Sequence, residues 1–172
     1  MLYIKKFIFN PFAVNTYVLF DDSGECAIID PACYDKHEES QLMQFIAKKA
    51  LKPVRLLNTH GHLDHMFGNA FICNNYHLQP ELHQADQFLA DSAPDFARNF
   101  SLSYTPAPPF SHYLQENEDV TFGNTSFYIM LVPGHSPGSI VLVNEANSLI
   151  ISGDVLFAGS IGRTDLPQGN YN

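Results

Sequence analysis

Apolar and polar positions alternate along this chain with two periods, and the switches between them mark its elements. Tyr3–Phe9 and Thr16–Phe20 read as strands, joined by a connector from Asn10 to Asn15. Asp21-Asp-Ser-Gly24 is a turn signal, so Thr16–Phe20 and Cys26–Asp30 pair as a hairpin. Pro31 cannot donate to a ladder and ends that strand. From Asp35 to Ala50 the apolar residues Leu42, Phe45, Ile46 and Ala50 recur at helical spacing. Val54–Asn58 is a short buried strand, Asp64 to Cys73 one short helix, and Pro80–His83 another strand. Gln84–Asn99 reads as partly helical around Pro94, and Phe100–Tyr113, with three prolines, as loop. Asp119–Phe122 and Thr125–Val132 form a second hairpin about Gly123-Asn124, and a tight loop, Pro133 to Gly138, leads into strand Ser139–Val143. Leu149–Ser152 is the next strand, ending at Gly153-Asp154. Strands, helix, then strand and loop occur twice in this order, which predicts two β-rich halves with helices outside, an α/β (α+β) fold.

Composition narrows the function classes. The 172 residues suit one domain with chain enough for a core, and 45% hydrophobic with 16% charged residues is the balance of a folded protein. A formal net charge of −9 argues against nucleic-acid or anionic-membrane partners, which require basic patches. Cys26, Cys33 and Cys73 are odd in number and lack C-x-x-C spacing, as expected of reduced thiols in the cytoplasm. The N-terminus lacks an uninterrupted apolar run with a cleavage site, and no stretch approaches the roughly 20 apolar residues of a membrane span.

The chemistry concentrates in Thr59-His60-Gly61-His62-Leu63-Asp64-His65, which follows the apolar strand Val54–Asn58. Imidazole nitrogen and carboxylate oxygen are the ligands preferred by zinc and neighbouring borderline metals. In a turn at a strand end, alternate residues His60 and His62 can point to one side while Asp64 and His65 point to another. His135, in the Pro/Gly-rich loop, and Asp154, after the last strand, repeat the arrangement of a polar ligand at a strand end. Each alone is equally at home in a turn. Beside the histidine cluster they become ligand candidates, because a catalytic metal takes partners from several strand ends. His37, His77, His83 and His112 have no ligand spacing and read as surface or hydrogen-bonded residues.

These segments resemble the metallo-β-lactamase superfamily, and within it the glyoxalase II group of thioester hydrolases. Residues 59–65 match the family's T-H-x-H-x-D-H, and Pro133-Gly-His-Ser-Pro-Gly138 matches its P-G-H-T/S-P-G loop. Asn15-Thr16-Tyr17, Asp30-Pro31, Ile151-Ser-Gly-Asp154 and the Gly159–Asp165 segment match as well, so the resemblance covers nearly the whole chain. It implies a four-layer αββα sandwich with the site at the strand ends between two sheets. It implies His60, His62 and His135 on a first metal, Asp64 and His65 on a second, and Asp154 bridging both. Up to two Zn2+ ions are implied, with iron or manganese as alternatives. The implied activity is hydrolysis of a thioester or related carboxylic ester, a small-molecule substrate, by a metal-bound hydroxide, with Asp64 also orienting that nucleophile.

The match departs from the family in three places. The family pattern carries one more histidine on a later strand, whereas no histidine follows His135. The resemblance therefore leaves the second metal one ligand short and the second half of the sandwich incomplete at the C-terminus. A single metallo-hydrolase domain, residues 1–172, cut short at that end is the expectation, with a second copy covering the open sheet edge as an alternative. The glutathione-recognising helical domain of glyoxalase II has no counterpart here. Arg163 is a candidate substrate contact, weighed against a structural pair with Asp165, and Phe12 either flanks the mouth of the site or is a plain loop aromatic. Two other functions compete: a mononuclear iron oxygenase resembling the persulfide dioxygenases, using His60, His135 and Asp154, and a catalytically silent metal-binding module.

Overall fold

Strand β3 (Glu25–Ile29) sets the layering, because it is buried on both faces. Cys26 and Ile28 point to one side, into a core shared with helices. Ala27 and Ile29 point to the other, into a core between two sheets. This period-2 division of apolar residues is what lets one strand serve two cores. The computed structural model describes residues 1–110 and 112–171. Ser111, within the expected loop, and Asn172, in the polar tail, lie outside the described residues.

The first sheet has the order β1 (Leu2–Phe9), β2 (Val14–Asp21), β3, β4 (Lys52–Leu57), β5 (Pro80–His83), β6 (His112–Leu114). Its first three strands are antiparallel, and β3 to β6 run parallel. The second sheet is the antiparallel set β7 (Asp119–Phe122), β8 (Thr125–Leu131), β9 (Ile140–Asn144) and β10 (Leu149–Ile151). Leu19, Ala27, Ile29 and Leu57 of the first sheet meet Phe122, Phe127, Ile129, Leu142 and Ile151 of the second. Helices α1 (Lys36–Lys48) and α3 (Asn69–Tyr76) cover the other face of the first sheet, through Leu42, Ile46, Ile72 and Cys73. Helices α2 (Leu63–Met66) and α4 (Gln87–Asn99) form a third cluster. No helix residue enters the inter-sheet core among the described residues, and Met130 and Ile150 on the outer side of the second sheet are exposed. The result is the mixed α/β sandwich expected from the sequence pattern, with the second half less covered than the first.

Two local expectations fail. The single helix expected over Asp64–Cys73 is two helices, because the Gly68 amide leaves the helical ladder and donates to the Pro31 carbonyl at 2.7 Å. The loop expected over Phe100–Tyr113 gives way to β6, whose three residues pair with β5 and carry no readable period. A further two-stranded ribbon, β11 (Leu156–Phe157) with β12 (Ser160–Ile161), follows Asp154. Pro94 sits inside α4 without ending it. Among the described residues, no helix is long and apolar enough to cross a membrane. The three cysteines are free and buried.

Candidate metal centre

The parallel run of β3 and β4 brings two chain ends to one rim of the sandwich. Asp30, which follows β3, is buried and has φ +47. Its Oδ1 accepts from the Thr59 amide at 2.8 Å and its Oδ2 from Thr59 Oγ1 at 2.7 Å. Having donated to a carboxylate, Thr59 Oγ1 can only accept from His60 Nδ1, 3.1 Å away. That places the His60 proton on Nδ1 and turns the Nε2 lone pair inward. The same logic holds across the site. His135 Nδ1 donates to the Arg163 carbonyl at 2.9 Å, so its Nε2 is also a lone pair.

These two Nε2 atoms lie 3.2 Å apart, and His62 Nδ1 lies 2.9 Å from that of His135. Two lone pairs face each other and only one proton is available among the three, so a cation fits this arrangement better than any hydrogen-bond pattern does. His60, His62 and His135 offer ligand atoms within 4.8 Å of one another, and so do His60, His65 and Asp154. Among the described residues, both nitrogens of buried His65 lack an aligned hydrogen-bond partner. Its Nδ1 is 3.0 Å from Asp30 Oδ2, and its Nε2 is 3.4 Å from Asp154 Oδ1 and 3.9 Å from Asp64 Oδ2. An imidazole so placed between carboxylates, with nitrogens left over, fits a second ligand position.

Protonation follows these surroundings. Burial, with the other imidazoles, pushes His60 well below its ordinary value, and takes His62 down to about 4. Both are therefore neutral near pH 7, the form that ligates a metal. Burial would lower His65 too, but Asp30 and then Asp154 outweigh it and carry the imidazole up to about 10, so a cation held there would have to displace its proton. Burial raises the Asp64 carboxyl above the usual carboxylate range. It acts the same way on Asp154, where His65 overrides it and holds the group low.

The two ligand loops are tied together by Asp86, a residue the sequence reading passed over. It follows β5 and is fully buried. Its Oδ2 accepts from the Gly61 amide at 2.8 Å and from Ser136 Oγ at 2.6 Å, and its Oδ1 accepts from the Gly138 amide at 2.6 Å. A Cβ on Gly61 would stand 2.7 Å from the Asp86 carbonyl, and one on Gly138 2.7 Å from Asp86 Cγ. Glycine at both positions lets the loops close on the carboxylate. Asn10 supports α2 in a similar way, donating to the Asp64 carbonyl at 2.9 Å. The usable signal was common to Asp30, Asp86 and Asp154: an aspartate just past a strand end.

Of the residues singled out from sequence, His60, His62, His65, His135 and Asp154 converge, with Asp64 beside them on the floor of a cavity. Arg163 lines that cavity, but its guanidinium is exposed and engaged by both Asp165 oxygens, at 2.7 and 2.8 Å. Phe12 lines the cavity as well and is 56% exposed. His37, His83 and His112 lie apart and hydrogen-bond to Gln41, the Ala85 amide and Glu118.

Comparison with known proteins bears on the family and the fold. The chain is 37% identical to the Haemophilus influenzae hydroxyacylglutathione hydrolase GloC over 93% of its own length and 74% of that protein. Its fold superposes on the BLEG-1 B3 metallo-beta-lactamase with a TM-score of 0.86 at 32% identity, covering 98% of this chain and 80% of that one. The protein TTHA1623, solved in a di-iron-bound form, gives a TM-score of 0.83 at 31% identity, covering 96% and 79%. The model of the metallo-beta-lactamase superfamily matches residues 9–172, and the chain belongs to that family.

Proposed function

We propose that this chain is a metal-dependent hydrolase, glyoxalase II-like, that cleaves a thioester or a related carboxylic ester and uses zinc. The observation that carries the reading is the convergence of inward-facing nitrogens from His60, His62 and His135, with His65 and Asp154 alongside, at a cavity whose floor is formed by His62, Asp64, His135 and Asp154. His60, His62 and His135 would hold one ion. Asp64, His65 and Asp154 would hold a second, with Asp154 shared. A bound ion supplies Lewis-acid chemistry, polarising a carbonyl and lowering the pKa of water.

The remaining work falls to the chain. Asp30 and Thr59 fix the His60 ring, and the Arg163 carbonyl fixes that of His135. Asp64 accepts a hydrogen bond from the attacking water and aims its lone pair at the carbonyl carbon. Once a substrate covers the apolar cavity wall, bulk water is displaced and each electrostatic contact inside is strengthened. The likeness to a hydroxyacylglutathione hydrolase supports the thioester class. The three buried thiols suit a reducing compartment, and we place the activity in the cytoplasm. Hydrolysis of an acyl-glutathione thioester by zinc-loaded protein tests the reading against a His60→Ala, Asp64→Ala double variant. The variant should lose all turnover, and equal rates would overturn the proposal.

One observation favours a second reading. The sequence points to His60, His135 and Asp154 for this chemistry; the grouping that the geometry brings together is His60, His65 and Asp154, again two imidazoles and one carboxylate, the donor set of non-haem iron oxygenases. Metal analysis of protein purified without added metal separates the two. Bound iron with oxygen uptake supports the oxygenase; zinc without it supports the hydrolase.

A further inference from the structure

The cavity above the ligands holds about 720 Å³, enough for a ligand of substrate size. His62, Asp64, His135 and Asp154 form its floor, and α4 builds one wall. Phe88, Leu89, Ala93 and Phe96 fall at helical spacing on the side of α4 that lines the cavity, and Phe67 and Leu102 extend the same wall. Only part of this surface is core. Ala93 and Phe67 are buried, whereas Phe88 and Leu89 are half-buried and Phe96 is 48% exposed. Phe96 stacks on Phe100, itself exposed, at a ring separation of 4.5 Å. Apolar area left open to water beside a reactive centre gains free energy when a ligand of matching polarity covers it.

Charge points the same way. Arg163 is the one Lys or Arg lining the cavity among the described residues, and Asp165 already neutralises it. The other charged groups are the floor carboxylates Asp64 and Asp154. A multiply charged thiol carrier finds little to hold it, whereas a hydrocarbon chain finds a continuous wall leading from the reacting carbonyl.

We infer that the α4 wall binds the apolar acyl chain of the substrate, so that the preferred substrates are medium-chain acyl thioesters or esters. This rests on the hydrolase reading and names its substrate class. The reaction is unchanged: a water oxygen forms the new C–O bond, the C–S bond breaks, and the thiol departs with the proton.

The test is a series of N-acetylcysteamine thioesters, from acetyl to decanoyl, with zinc-loaded protein. Hydrophobic transfer predicts that kcat/KM rises about two- to fourfold per methylene. Phe96→Asp should cut the decanoyl-to-acetyl ratio of kcat/KM at least tenfold, while Met130→Ser, an exposed apolar residue on the second sheet, should leave that ratio unchanged. A flat series with measurable hydrolysis overturns the acyl-chain inference and leaves the hydrolase reading standing. If no thioester is hydrolysed, the hydrolase reading fails, and calorimetric titration of 1-octanol decides the inference on its own. Saturable binding to the parent chain that is lost in Phe96→Asp upholds an apolar chain site, and its absence from the parent chain overturns it.

Discussion

Asp86 accepts from two amides and a hydroxyl, and alanine there would leave the Gly61 and Gly138 amides and Ser136 Oγ without their partner. Buried donors stripped of an acceptor lose on the order of 3 kcal/mol in all. Because these donors sit in the two loops that carry His60, His62 and His135, the loss extends to the metal. Ligand-supporting residues of this kind ordinarily contribute 10- to 100-fold in affinity. Asp86→Ala should therefore weaken zinc binding by about that factor, measured by competition with a chromophoric chelator, and Asp86→Asn by less, since it keeps one acceptor oxygen. Unchanged zinc affinity in Asp86→Ala would show that the loops hold their geometry without it. At this scale the metal ligands were legible in the sequence, because histidines and carboxylates clustered at strand ends declare their own chemistry. Asp30 and Asp86 were not, since an aspartate after a strand also reads as a turn former. What distinguishes them is which distant amide each accepts from, and that is set only by the folded chain. Arg163 was legible as two alternatives, and its geometry favours the pair with Asp165.

Helix α2 carries Asp64 and His65 through only four residues, too short to hold itself, so its position depends on the break that follows. At that break a Cβ on Gly68 would lie 2.6 Å from the Pro31 carbonyl oxygen, closer than real contacts allow. Gly68→Ala must push α2 away from the strand end that carries Asp30. Overpacking of this kind costs about 2 kcal/mol, which lowers the melting temperature by about 4–8 °C in a domain of this size. Thermal unfolding with chelator present measures it, and an unshifted transition would mean the backbone yields freely there. The element pattern explains what was readable. β2, β3, β4 and β8 were found because alternate residues serve different surfaces, and α1 because Leu42 and Ile46 share one face. The split between α2 and α3 was hidden because the cause lies in the Pro31 carbonyl, remote in sequence. β6 was hidden because three residues hold too few periods to count, and its place is set by pairing with β5.

The two sheets are joined at both ends of the sandwich, and the end away from the metal centre is held by two carboxylates, Glu25, whose Oε2 accepts from the Gly123 amide at 3.0 Å, and buried Asp21. Asp21 closes β2, next to the turn from which β3 runs toward Asp30, while Thr125 opens β8, which runs toward the His135 loop. Asp21 is buried; its Oδ1 accepts from the Ser23 amide at 2.9 Å and from Ser23 Oγ, and its Oδ2 accepts from the Asn124 amide at 2.6 Å and Thr125 Oγ1 at 2.9 Å. Burial would raise its carboxyl, but these donors together outweigh it and take the group down to about 2. The unfolded chain, with an ordinary carboxylate, binds the proton at higher pH than the folded one does. The clamp's contribution is thus complete above the unfolded value near pH 4 and is lost as pH falls toward about 2. Asp21→Asn keeps the size but weakens the acceptors, so it should destabilise the sandwich by about 2 kcal/mol at neutral pH. Urea unfolding of both chains at pH 7, 5, 4 and 3 measures the gap between them. The gap should hold constant from pH 7 to pH 5 and narrow below pH 4, and a gap that stays constant down to pH 3 would mean that the ionised form of Asp21 does not join the sheets.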